Sequence, residues 1–70
     1  MNRIYVSSSD LHSVWYNEAS MTLEIEFNSG GVYAYYDVPE SIYNGLMNAP
    51  SHGKYFHQYI KDVYRFKRIR

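Results

Sequence analysis

The stretch MTLEIEFNSGGVYAYY, residues 21–36, constrains this chain more than any other. Met21, Leu23, Ile25 and Phe27 alternate with Thr22, Glu24 and Glu26, the pattern of a strand with one face buried and one in water. Asn28-Ser29-Gly30-Gly31 is hairpin chemistry, and it leads into Val32, Tyr33, Ala34, Tyr35 and Tyr36, which carry no charge at all. A second strand that is apolar or aromatic on both faces poses a problem, because a short chain ordinarily covers only one face of a sheet. An even loop would pair Phe27 with Val32 and Ile25 with Ala34, setting Tyr33 and Tyr35 beside Glu24 and Glu26. A three-residue loop with a glycine bulge would move both tyrosines to the core face. We expect the even loop, since Ala34 is easier to bury under helices than two tyrosine hydroxyls.

Around this hairpin the rest of the chain falls into place. Ile4 and Val6 predict a short first strand, and His12–Tyr16 a second, with Val14 and Tyr16 opposed to Ser13 and Trp15. Ser7 to Ser9 and Asp10 form a turn between them in which Ser9 and Asp10 bond the local backbone. Pro39 suits the first position of a helix carrying Ile42, Tyr43, Leu46 and Met47, which ends at Ala49-Pro50. Ser51 is a natural N-cap for a second helix, along which Tyr55, Phe56, Tyr59, Ile60, Val63 and Phe66 recur on one side. The predicted fold is α+β: an antiparallel β-meander of three to four strands, then two amphipathic helices packed on one sheet face. Residues 1–64 form the single domain and residues 65–70 a basic C-terminal tail.

Seventy residues without cysteine leave one small core and no disulfide or thiolate zinc to staple it. Such chains gain stability by associating, so a homo-oligomer is expected, with a second copy covering the free face of VYAYY. A hydrophobic content of 46% excludes a disordered chain. No apolar run approaches a membrane span and no signal-peptide pattern is visible, so we expect a cytoplasmic protein without membrane contact.

Formal net charge is zero, yet the charge is segregated. Up to Gly53 there is only Arg3 against Asp10, Glu18, Glu24, Glu26, Asp37 and Glu40, a net of −5. From Lys54 on, Lys54, Lys61, Arg65, Lys67, Arg68 and Arg70 face only Asp62, a net of +5. The basic end is a candidate phosphate contact. The neutral whole argues against a long polyanion, whose affinity grows with the phosphates neutralised.

Several blocks together carry a resemblance. VSSSDLHSVWYN, LEIEFNSGGVYAYYDVP, SIYNGLMNAPS and SHGKYFHQYIKDVY resemble the KTSC domain from about Val6 to Tyr64, including its tyrosine-x-tyrosine element at Tyr33-Ala34-Tyr35. That family takes its name from the C-terminus of some lysyl-tRNA synthetases and also occurs as short stand-alone bacterial and phage proteins. The resemblance implies RNA binding without a defined site. His57 departs from the family pattern, where a smaller polar residue such as asparagine is expected.

Candidate chemistry is sparse. His12, His52 and His57 lack metal-ligand spacing, so no metal is expected, and no cofactor. Ser7 to Ser9, Asp10 and His12 have the residue types of a nucleophilic triad but no means of building an oxyanion hole, so no enzyme is expected. Ser51, Gly53 and Lys54 open a helix, where free N–H groups and the macrodipole favour an anion. Tyr33 and Tyr35 can stack on bases, while Glu24 and Glu26 beside them in the even register would repel a phosphate backbone. The expected function is a non-enzymatic binding module for a phosphate-bearing ligand, RNA or preferably a compact nucleotide. Its ligand contacts would be Tyr33, Tyr35, Ser51, Gly53, Lys54, Lys61, Arg65, Lys67 and Arg68. In a phage-type context this would sequester a nucleotide-derived signal. The alternative is a purely structural protein–protein module with no small ligand.

Overall fold

The structure, a computed structural model, describes residues 3–70. Five strands and two helices follow in the order β1 (Ile4–Tyr5), β2 (Leu11–Asn17), β3 (Thr22–Phe27), β4 (Val32–Tyr35), α1 (Glu40–Asn48), α2 (His52–Tyr59) and β5 (Phe66–Arg68). The sheet is antiparallel throughout, with strands side by side in chain order, so the meander gains a fifth strand after the helices. Segment 65–70, expected to be a tail, supplies that strand, with Phe66 opposite Tyr35 and Arg68 opposite Tyr33.

The hairpin register differs from the expected one. Leu23 faces Tyr35 and Ile25 faces Tyr33, while Glu24 faces Ala34 and Glu26 faces Val32. The turn is the cause. Gly30 N–H donates to Phe27 O, Phe27 N–H donates to Gly31 O, and Gly30 takes φ +104°. This is the three-residue loop with a left-handed glycine, which shifts the pairing by one residue. Tyr33 and Tyr35 therefore share the core face with Leu23 and Ile25, and the glutamates keep company with Val32 and Ala34.

The helices pack on that core face. Leu11, Val14, Tyr16, Leu23, Ile25 and Tyr35 from the sheet meet Val38, Tyr43, Leu46, Phe56 and Ile60. Tyr16 stacks on Tyr43 with ring centroids 4.6 Å apart and donates its hydroxyl to Val38 O at 2.6 Å. Leu11 and Val14 have opposite parity yet face the same core. A bulge at His12 reconciles them, since Leu11 pairs with Phe27 while Ser13 pairs with Glu26. Met21, expected in the strand, instead turns the chain with φ 54°.

On the open face, Ser13 donates to Glu26 Oε1 at 2.8 Å, and Arg3 donates both to Ser13 Oγ and to Glu24 Oε1, each at 3.1 Å. This polar lattice, with neighbouring long side chains, shelters the small apolar residues between. Val32 is 2% and Ala34 4% exposed in a single chain, and Tyr35 on the other face is 4% exposed. Within one chain Val32, Ala34 and Tyr35 are thus buried, while Tyr33 remains half-buried.

Helix α2 also stops earlier than its apolar stripe implies. Ile60 and Lys61 N–H both reach Phe56 O, and Asp62 then takes φ 63°, turning the chain toward β5. Val63 and Phe66 consequently leave the helix and stand 61% and 55% exposed. None of the helices among the described residues is long and apolar enough to cross a membrane.

Candidate functional site: an aromatic groove beside the second helix

Because α2 ends at Tyr59, the helices do not span the full width of a five-stranded sheet. A groove of about 570 Å³ opens where they fall short, over the β4–β5 end. Its floor and walls are aromatic: Phe27, Tyr33, Tyr35, Phe56 and Phe66. Tyr35 lies edge-on to Phe56 at 5.6 Å and tilted against Phe66 at 5.9 Å, and Phe27 meets Tyr33 edge-on at 5.7 Å. The volume is that of a small-molecule site, and mostly apolar walls with a few polar groups are what such sites present.

Polar groups enter from three segments. The loop before β2 contributes Ser9 and Asp10, the hairpin turn Asn28 and Ser29, and the end of α2 His57, Lys61 and Asp62. The first two are tied together: Asn28 N–H donates to Asp10 O at 2.9 Å and its side-chain amide to Ser8 O at 3.0 Å. Ser8, rather than the expected Ser9 or Asp10, stabilises the loop, its hydroxyl accepting from the N–H groups of Asp10 and Leu11. Asp10 Oδ2 stands 3.8 Å from His57 Nε2. It also explains Gly53, where a Cβ would fall 2.7 Å from that same oxygen. Burial pushes the Tyr35 hydroxyl up to about 12, and the charges of Tyr33 and Asp62 act in the same direction.

Of the residues expected to bind ligand, the groove brings together Tyr33, Tyr35 and Lys61. Arg68 joins at its rim, its guanidinium 5.8 Å from the centre of the Tyr33 ring. The others lie elsewhere. Ser51 caps α2 by accepting from Lys54 N–H at 3.2 Å, and Lys54 is exposed on the helix. Gly53 is taken up by Asp10. Arg65 pairs with Asp37 at 3.0 Å and lies over Tyr36. Lys67 is opposite Ala34, on the open face. The sequence reading missed Phe27, Phe56, Phe66 and Asp62 as lining, and it weighed Asp10 and His57 only for other chemistry. The departure at His57 was the one available signal. Among the described residues no group of three or more His, Cys, Asp or Glu is arranged to hold a metal ion.

A five-stranded antiparallel meander with two helices on one face and an aromatic groove at their margin defines a small α+β domain. Residues 7–64 match the KTSC domain, and the chain belongs to that family. The crystal structure of a KTSC domain protein from Yersinia pestis superposes with a TM-score of 0.96 at 36% identity, covering 99% of this chain and 97% of that one. An uncharacterised protein of Stutzerimonas stutzeri is 40% identical over 70 residues, 99% of each chain. A lysine–tRNA ligase of Nostoc punctiforme is 44% identical over 54 residues, which is 77% of this chain but 10% of the ligase. The chain thus spans about a tenth of the ligases it matches.

Proposed function

We propose that this KTSC domain is a non-enzymatic binding module, and that its groove takes a compact nucleotide or one unstacked base of an RNA. The observation that carries this is the meeting of Tyr33, Tyr35 and Lys61 with three phenylalanine rings in one groove of small-molecule size. A flat base stacks on the accessible rings of Tyr33 and Phe66, a contact of about 1–3 kcal/mol per base in single-strand binders, with the buried Tyr35 and Phe56 supporting them from below. The phosphate then lies outward, toward Lys61 and Arg68. The observed register strengthens the reading, because Glu24 and Glu26 are on the other face of the sheet from the tyrosines. Similarity to part of lysine–tRNA ligases, whose name includes tRNA, favours a nucleotide-type ligand. Asp10 and His57 are beyond hydrogen-bond distance and half-exposed, which favours binding over catalysis.

Thermal shift against mononucleotides and short RNAs, at low and high salt, tests the proposal. A raised midpoint is expected, weakened by Lys61→Ala with Arg68→Ala and unaffected by Lys67→Ala on the open face. No movement with any ligand would overturn it.

One observation favours the second reading, a protein–protein module. Phe66, which lines the groove, and Val63 are large, apolar and more than half exposed, and a partner or a second copy would bury them. Sedimentation of the wild-type chain and of Val63→Ser would then show association that the substitution removes.

A further inference from the structure

Resting on the reading of the groove as a nucleotide site, we propose that it selects guanine, with the Asp62 carboxylate accepting the adjacent N1–H and N2–H donors of the base. The groove's polar groups have an unusual mixture of signs for a phosphate-bearing ligand. Asp10 and Asp62 line it together with Lys61 and His57, and Arg68 stands at its rim over Tyr33. A purely anionic ligand leaves the carboxylates opposed. A small organic cation leaves Lys61 and Arg68 opposed. A neutral base that offers donors at one edge and bears a phosphate at the other end satisfies all of them.

The two carboxylates are not equivalent. Asp10 packs on Gly53 and stands 3.8 Å from His57, outside hydrogen-bond distance. Asp62 makes no ion pair or side-chain hydrogen bond among the described residues, and it lines the groove from the turn that ends α2. Its backbone holds φ 63°, a conformation that glycine would adopt without steric cost. Its charge is felt by Tyr35, the ring at the groove floor.

An ionised carboxylate is acceptor-only and takes two parallel N–H donors best. Guanine presents two such donors side by side. Adenine and cytosine present one amino group next to a ring acceptor, and uracil presents one N–H between two carbonyl oxygens, whose lone pairs would face the carboxylate. Stacking alone on Tyr33 and Phe66, two of the more accessible rings of the groove, would not separate these bases, so any discrimination falls to the carboxylate.

The test is calorimetric titration of the full chain with GMP, IMP, AMP, CMP and UMP. GMP is expected to bind about tenfold tighter than AMP, CMP or UMP, with IMP between, since a bidentate pair discriminates by at least this much. Two variants isolate the carboxylate. Asp62→Gly, which suits the left-handed backbone and so keeps the fold, should level the four bases. Asp62→Asn should move the preference from GMP to XMP, whose N1–H and O2 match the amide. Equal binding of all mononucleotides, or a GMP preference that survives both substitutions, would overturn the guanine proposal while leaving the nucleotide site standing. Failure of every mononucleotide to bind at millimolar concentration would remove both.

Discussion

The two faces of this sheet solve the same packing problem by different chemistry. On the helix face, Leu23, Ile25 and Tyr35 are buried by other apolar side chains, and burial removes them from water at about 25 cal/mol per Å². On the open face no helix packs, and Val32 and Ala34 lie opposite Glu26 and Glu24 and are 2% and 4% exposed. Arg3, just before β1, links with Ser13 of β2 and Glu24 of β3, and Ser13 with Glu26, above the same sheet. The lesson is that in a run such as VYAYY a single chain can bury the small residues of one side, Val32 and Ala34, and Tyr35 on the other, leaving Tyr33 and Tyr36 half-buried.

That contrast predicts a graded response to substitution. Ile25→Ala, fully buried on the helix face, should cost about 2–5 kcal/mol in urea denaturation, whereas its neighbour Glu24→Ala should cost no more than about 1 kcal/mol. A comparable loss at both positions would mean that the open face is packed against something after all.

Tyr35 offers a pH test on the helix-face side. Its pKa is raised from 10.0 to about 12, chiefly by burial. The folded state therefore holds a proton that the unfolded chain releases between those values. The stabilisation is complete below pH 10 and is lost as pH rises toward 12, by up to about 2–3 kcal/mol at about 1.4 kcal/mol per unit. Between pH 10 and 12 the stability of wild type should fall more steeply than that of Tyr35→Phe, which lacks the hydroxyl. The same slope in both proteins across that range would contradict the burial of that hydroxyl.

Two glycines sharpen the picture where the helices meet the rest. A Cβ at Gly45 would collide with the Tyr55 hydroxyl, so Gly45→Ala should cost about 1–3 kcal/mol through overpacking. Gly53→Ala should cost less than Gly45→Ala, because the clash is with the end of the half-exposed Asp10 side chain, which can turn away, and Asp10→Ala should remove what cost remains. Failure of the rescue in a double-mutant cycle would mean that Gly53 serves something other than Asp10.

The smallest effect belongs to the open face. Arg3→Ala should lower stability by about 0.2–1 kcal/mol and the loss should shrink in high salt, as for a partly exposed ion pair.

Legibility in the sequence followed the same division. The alternation in TLEIEF named the faces of β3 correctly, and Ser51 was readable as a cap because a hydroxyl before a helix has one obvious use. The hairpin register was not readable. Asn28-Ser29-Gly30-Gly31 allows two loops, and only the left-handed φ of Gly30 decides between them. The end of α2 was equally hidden. Asp62 is the residue that goes left-handed, and aspartate tolerates that conformation without announcing it as glycine would. Missing that turn concealed β5, and with it Phe66 as the wall of the groove. The groove itself joins Asp10, Phe27, Phe56 and Phe66, positions whose neighbourhood exists only once the sheet and helices are assembled.

The proposed ligand site lies in the groove on the helix face and not on the open face, and amide and aromatic NMR shifts recorded during titration with GMP distinguish the two. Saturable shifts are expected at Tyr33, Tyr35, His57, Lys61, Asp62 and Phe66, with Trp15, Glu24 and Lys67 unmoved. Shifts concentrated at Trp15, Glu24 and Lys67, or none at saturating nucleotide, would contradict it.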